Sequence, residues 1–404
     1  MSNSGPLQGI KIVDCTHILS GAFASTLLGD LGADVIKVEK LGVGDPIRSS
    51  GPPFQNGEGA YFFSVNRNKR SICVDLKSPT GIEIIHKLVS QSDVFMENFR
   101  PGVMDRLGLG YDALKAINPD LIYSSLTAFG TNGPYKDKPG FELIIQSLTG
   151  LVDVTSPPGG APAKIQVQLV DLCAGMILAY STLAALYYKL NSGKGQRVET
   201  SLLESTLAML ANLAGIYFMT GNVPTGLGTR NPQAMPSQAL KTKDSHVSVV
   251  TASNHWERFC NALGRPDWIQ DPELKQASYR VEHYNEVESM IETVTTTKTT
   301  AEWLEIFEAF EIAAAPINTI EQAFEDPGIL ATDMVKTMEH PTAGMIKVLN
   351  KPWKMSESPG DEQLPPPPLG WHTFEVLKEA GYAEEDIISL KNKGVIDGKS
   401  PTIK

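Results

Sequence analysis

"IKIVDCTHILSGAFASTLLGDLGADVIKVE" (residues 10–39) sets two short β-branched apolar runs on either side of a stretch of small residues. Ile10–Asp14 and Asp34–Glu39 read as strands, and Gly21–Leu31 between them reads as a helix. A helix between two strands returns the chain to the same end of the sheet, so the strands run parallel. The rhythm continues downstream. Ser71–Leu76, Asp93–Glu97 and Leu121–Thr127 read as further strands. Pro79–Ser90 reads as a helix, with Ser78 as N-cap and Pro79 at its first position. The pattern predicts an α/β fold, a mainly parallel sheet with helices on both faces.

Beyond this sheet, "TSPPGGAPAKI" (155–165) is a Pro/Gly loop, followed by helical patterns over Leu172–Leu190 and Ser201–Thr220. These observations divide the chain into a large domain (1–220), a linker (221–239), a smaller α/β domain (240–325) and a linker that returns to the large domain (326–404). The smaller domain opens with a strand at His246–Ala252. The return segment holds a strand-like run, Met345–Leu349, the loop "PPPPLGWH" (365–372) and a helix over Thr373–Ala380.

The chain has 404 residues and a net charge of −11. That balance argues against nucleic acid or an anionic membrane as the main partner. The opening "MSNSGPLQGIKIVD" has no charged segment followed by an apolar one, and a cytoplasmic location is expected. The uncharged run Leu172–Tyr188 falls just short of a membrane span and fits a core helix better. Cys15, Cys73, Cys173 and Cys260 are far apart, and the seven histidines show no ligand spacing, so no disulfide framework or metal site is expected. GxGxxG, GxxxxGK[ST] and GxSxG are absent, which leaves carboxylates and local electrostatics to carry any chemistry.

Asp171, in "IQVQLVDLCAGM" (165–176), is the carboxylate of interest. It precedes a helical pattern and has the residue type of an N-cap. The same place can keep a partly desolvated carboxylate ionised for attack on a carbonyl, because a helix start favours an anion. Glu142, in "PGFELIIQ" (139–146), reads as a first-turn residue. "NRNKRS" (66–71) concentrates Arg67, Lys69 and Arg70, either a solvated turn or a seat for phosphates. "ENFRPGVMDRLGLG" (97–110) follows a strand end, where open α/β sheets bind ligands, and brings Arg100 and Arg106 there.

These stretches together resemble the class III coenzyme A transferases, the family of formyl-CoA transferase and the carnitine CoA transferases. The similarity lies in residues 6–40, in "NRNKRSICVDLKSPTG" (66–81), in residues 92–135, in "GKGQRVETSLLES" (193–205) and in "PPPPLGWHTFEVLKEAGY" (365–382). The resemblance implies a Rossmann-like large domain and a smaller one, in two interlocked chains with the site between domains of different subunits. It makes Asp171 the nucleophile and Glu142 a second acid beside it. It assigns CoA contacts to His17, Ile18, Lys40, Lys77, Asn98, Phe99 and Arg106. CoA thioesters are then substrates, with no permanently bound cofactor and no metal. The partner chain is a second copy or a related subunit.

Two departures narrow the reaction. Racemases of the same superfamily carry "GHD" where this chain reads "GFE" (140–142), and Phe141 cannot transfer a proton. Formyl-CoA transferases carry a GGGG run where this chain reads "GLGTRNPQAMPSQ". A dicarboxylate or aryl-substituted succinate-type acceptor, with succinyl-CoA as candidate donor, fits better than oxalate. The alternatives are a racemase-like isomerase and a non-catalytic acyl-CoA-binding subunit of a hetero-oligomer.

Overall fold

The computed structural model describes residues 5–251, 255–360 and 363–398. The end of the expected His246–Ala252 strand, and residues 1–4 of the stretch inspected for a leader, lie outside the described residues. Six parallel strands form the main sheet: β1 (Lys11–Asp14), β2 (Asp34–Glu39), β3 (Lys69–Val74), β4 (Val94–Glu97), β5 (Ile122–Thr127) and β6 (Arg197–Ser201). In space they run β3-β2-β1-β4-β5-β6, and Ile396–Asp397 adds an antiparallel strand outside β3.

Alternate residues of each strand face opposite cores. Val13, Ile36, Val38, Ile72 and Val74 pack with helix α2 (Pro79–Val89) and with Phe374, Val376 and Leu377. Ile12, Val35, Val94, Met96 and Ile122 pack with helices α1 (Ser20–Asp30) and α4 (Leu169–Ser192). Both faces are covered, which explains why the strands read as continuous apolar runs. Between α2 and α4, helix α3 (Glu142–Leu148) follows β5.

The strand order reverses between β1 and β4. The chain builds outward from β1 through β2 and β3, then returns to the other side of β1 for β4, β5 and β6. Reversals of this kind open a crevice at the carboxyl ends of the strands.

By contact, residues 5–149, 165–215 and 333–398 form one compact unit and 150–164 with 216–332 a second. The second unit contains a three-stranded antiparallel sheet in the order Ala313–Pro316, His246–Val250, Ser237–Lys241. Its core gathers Leu240, Val247, Phe259, Ile291, Trp303 and Phe307.

Two local expectations need correction, and one strand of the sheet went unread. Strand β6 was hidden in "QRVETS", whose polar side chains belong to an edge strand that is only half covered. Ser201–Thr220 is two helices, Leu202–Met209 and Ala211–Thr220, bent by 70° with neither Pro nor Gly at the break. Ser78 sits at the N-cap position of α2, but its hydroxyl makes no capping bond. Helix α4 has the length and apolarity of a membrane span. Its row of Val170, Ala174, Leu178 and Ala185 is nevertheless buried in the core.

Candidate active site

Helix α4 begins at Leu169, so Asp171 is its third residue rather than its N-cap. Gln168 holds the cap position without a side-chain bond. The cap is delivered from another helix. Glu142, the first residue of α3, accepts from the Val170 N–H at 3.1 Å and the Asp171 N–H at 3.0 Å. A carboxylate across a helix start satisfies orphan N–H groups and meets the positive end of the dipole. Gln146, one turn on, donates to Glu142 Oε1 at 2.6 Å and fixes its rotamer.

This cap brings two carboxyl groups together. Burial first, and then the Glu142 charge, push the Asp171 carboxyl up to about 6, while a hydrogen bond from the Ser20 hydroxyl favours the anion. The Tyr61 hydroxyl is raised by burial, then by the nearby charges of Asp171 and Glu142. Ser20 begins α1, and α1 reaches α4 this closely because residue 175 is glycine. A Cβ there would lie 2.5 Å from the Ser20 carbonyl oxygen.

The candidate CoA contacts gather at the carboxyl ends of the strands. His17 and Ile18 follow β1, Lys40 follows β2, Lys77 follows β3, and Asn98 and Phe99 follow β4, with Arg106 one short helix later. His17 and Asn98 bridge the crevice reciprocally. The His17 N–H donates to Asn98 Oδ1, and Asn98 Nδ2 donates to the His17 carbonyl, each at 2.8 Å. The His17 ring meets Phe99 edge-on, centroids 4.7 Å apart. Burial and then Lys37 lower its pKa, which favours the neutral imidazole. Phe99 is held by its own N–H, which donates to the buried Glu97 at 2.8 Å. Lys40, Lys77 and Arg106 are exposed cations. A polar cleft lined by Glu97, Phe99, Arg100, Tyr123 and Arg197 flanks the crevice, and Asp171 does not line it.

Ile18 has φ 66°. The left-handed region costs an L-residue about 1–2 kcal/mol and is abnormal for a β-branched one. Its N–H donates to both oxygens of Asp45, at 3.0 and 3.2 Å. Burial works against the Asp45 charge, but Lys37 and the backbone N–H groups of Ile47 and Ile18 hold its pKa below the ordinary carboxylate range.

The basic cluster at 67–70 is not a seat for phosphates. Arg67 pairs with Asp30, Lys69 with Asp14 at 3.3 Å, and Arg70 with Asp34, Glu375 and Glu379. The sequence displayed the cations without these distant partners. Ser20, Tyr61 and Asp45 were missed for the same reason. Tyr61 lies in a short helix, Ala60–Ser64, with no local signal that links it to residue 171.

A doubly covered parallel sheet with a strand-end crevice and a half-buried carboxylate at a helix start defines the α/β architecture of this chain. The model of CoA-transferase family III matches residues 7–373, and the chain belongs to that family. It is therefore an enzyme of the transferase class, with CoA thioesters as substrates. It is 38% identical over 399 residues to the succinyl-CoA:glutarate CoA-transferase of Homo sapiens, covering 98% of this chain and 91% of that one. The formyl-CoA:oxalate CoA-transferase of Rhodopseudomonas palustris is 34% identical, with 97% of each chain covered. A CAIB/BAIF family protein from Brucella suis superposes with a TM-score of 0.84 at 33% identity, over 93% of this chain and 100% of that one.

Proposed function

We propose that this enzyme moves CoA from succinyl-CoA to a dicarboxylic acid of glutarate size, with Asp171 as the covalent carrier. The observation that carries the proposal is the electrostatics of Asp171. Its neighbours are a second carboxylate and a hydroxyl, and no cation among the described residues lowers its pKa. At pH 7 a group with a pKa near 6 is mostly ionised, yet its negative charge is poorly stabilised, which favours attack on a carbonyl.

A carboxylate oxygen of Asp171 attacks the thioester carbonyl, the C–S bond breaks, and a mixed anhydride forms as CoA leaves as the thiolate. The thiolate attacks the aspartyl carbonyl, releases the donor acid and leaves an aspartyl-CoA thioester. The acceptor carboxylate attacks that thioester and expels the thiolate again. Attack of the thiolate on the acceptor's acyl carbon gives the new acyl-CoA and restores Asp171. Each step exchanges one acyl bond for another, so no ATP is consumed. In this reading His17, Ile18, Asn98 and Phe99 line the path of the CoA arm, and Lys40, Lys77 and Arg106 meet its phosphates. The large unit is the CoA-binding domain, joined by linkers to the smaller one.

The resemblance to succinyl-CoA:glutarate transferases supports the acid pair. Phe141 stands 63% exposed beside Glu142 and carries no titratable group, which disfavours racemase chemistry. Tyr180, Tyr187 and Leu190 are 71–82% exposed along α4, a surface suited to a second chain. Mass spectrometry after incubation with succinyl-CoA and hydroxylamine tests the mechanism. A hydroxamate on Asp171, dependent on acyl-CoA and accompanied by CoA transfer to glutarate, is the expected result. No modification across a panel of acyl-CoAs would overturn it.

A further inference from the structure

A carboxylate from a separate loop holds Ile18 in its left-handed conformation. We propose that Asp45, seated on the buried Lys37, is a positioning residue that keeps the loop after β1 in its CoA-binding shape. The inference rests on reading the strand-end crevice as the CoA site.

Lys37 and Asp45 pair at 2.9 Å with both side chains fully buried. Stability alone gives little reason for burying such a pair, since apolar residues of similar size usually serve as well or better. This pair does something apolar residues cannot. Lys37 Nζ donates to the Thr16 carbonyl at 2.9 Å, and Asp45 accepts the Ile18 N–H, so the two charges grip the loop on either side of His17. Asp45 is fixed in turn. Its own N–H donates to Glu39 at 3.0 Å, and Glu39 is held by Arg48 at 2.7 Å. Ile18 lacks the freedom of glycine, so without Asp45 its backbone relaxes toward negative φ. His17 would turn with it, and Ser20, two residues on, would shift away from Asp171. Asp45 thus sets both the floor under CoA and the hydroxyl on the nucleophile without touching either the substrate or the nucleophile.

Calorimetric CoA binding by the full-length protein, together with its melting temperature and transfer kinetics, tests the assignment. Asp45→Ala should weaken CoA binding about 5- to 30-fold, the population factor for restoring the left-handed turn. Adding Ile18→Gly should recover affinity to within about threefold of the wild type, because glycine populates positive φ almost as readily as negative. The second substitution should leave the melting temperature at the Asp45→Ala value, separating loop shape from fold stability. Should Asp45→Ala not fold, Asp45→Asn keeps the shape and one acceptor oxygen and carries the same comparison with Asp45→Asn/Ile18→Gly. Unchanged CoA affinity in the Asp45 variant, or a loss that glycine at 18 does not relieve, overturns the inference even if wild-type transfer is intact. A wild type that binds CoA but transfers nothing defeats the transferase reading, while the affinity series still decides this one.

Discussion

Two groups of wholly or partly buried carboxylates flank the start of α1, and their charge is handled in opposite ways. Asp14, Glu39 and Asp45 lie on the sheet side, where Lys37, Lys69 and Arg48 neutralise them. Burial would raise all three, and the cations hold them below their ordinary range. Asp171 and Glu142 lie on the helix side, where backbone N–H groups, an amide and one hydroxyl replace the cations. The first group is unreactive scaffold. The second leaves one carboxylate short of stabilisation, and that shortage is what a nucleophile needs.

The contrast can be broken most strongly with pH. The Asp171 anion is lost as pH falls through about 6, so transfer should drop about tenfold per unit below that point while the fold persists. Glu142→Gln removes the repelling charge and should move the inflection to lower pH. Ser20→Ala removes a hydroxyl that favours the anion and should move it higher. Identical profiles in all three proteins would detach the inflection from Asp171. A smaller effect should come from Gly175→Ala, whose methyl forces α1 off α4. Overpacking of this kind costs about 1–3 kcal/mol, and we expect a lower melting temperature with transfer reduced about tenfold. A stable variant with wild-type kcat would show that the close helix approach does not set the site.

The smallest effect concerns stability. The folded-state pKa of Asp171 lies above its unfolded value, so the native state binds its proton more tightly. The ionised group is therefore a cost that appears as pH rises through 4 to 6 and is complete above 6. Asp171→Asn escapes that cost. After allowing for partial exposure, it should be more stable than wild type by about 1 kcal/mol at pH 8, an advantage that vanishes near pH 3.5. Urea unfolding at the two pH values checks this, and a variant less stable at pH 8 would contradict the picture of an understabilised carboxylate.

The five strands of the main sheet that read from sequence are those buried on both faces, because mostly β-branched apolar runs such as Val35–Val38, interrupted only by Lys37, have few other uses. β6 escaped because its exposed side chains are polar, and the break at Leu210 escaped because no residue type marks it. Within the candidate site, Asp171 stood out as a lone charge in an apolar stretch, and its helix position was off by one turn's worth of residues. "QLVDLC" looks like a helix beginning at the Asp, whereas the capping acceptor comes from Glu142, 29 residues upstream. The cations of "NRNKRS" were visible and their purpose was not, since Asp14, Asp30 and Asp34 meet them only across the fold. Charge is written locally, and the pairing that decides its use is a property of topology.

The reciprocal bonds between His17 and Asn98 lie where the strand order turns back on itself. The loops after β1 and β4 are eighty-one positions apart at these residues, so nothing in the local chain ties their motions together. Their double hydrogen bond joins the two halves of the sheet at its natural seam. A long flexible ligand bound there, as proposed for CoA, would meet a surface already ordered by folding, and its own freedom would be the principal thing left to lose.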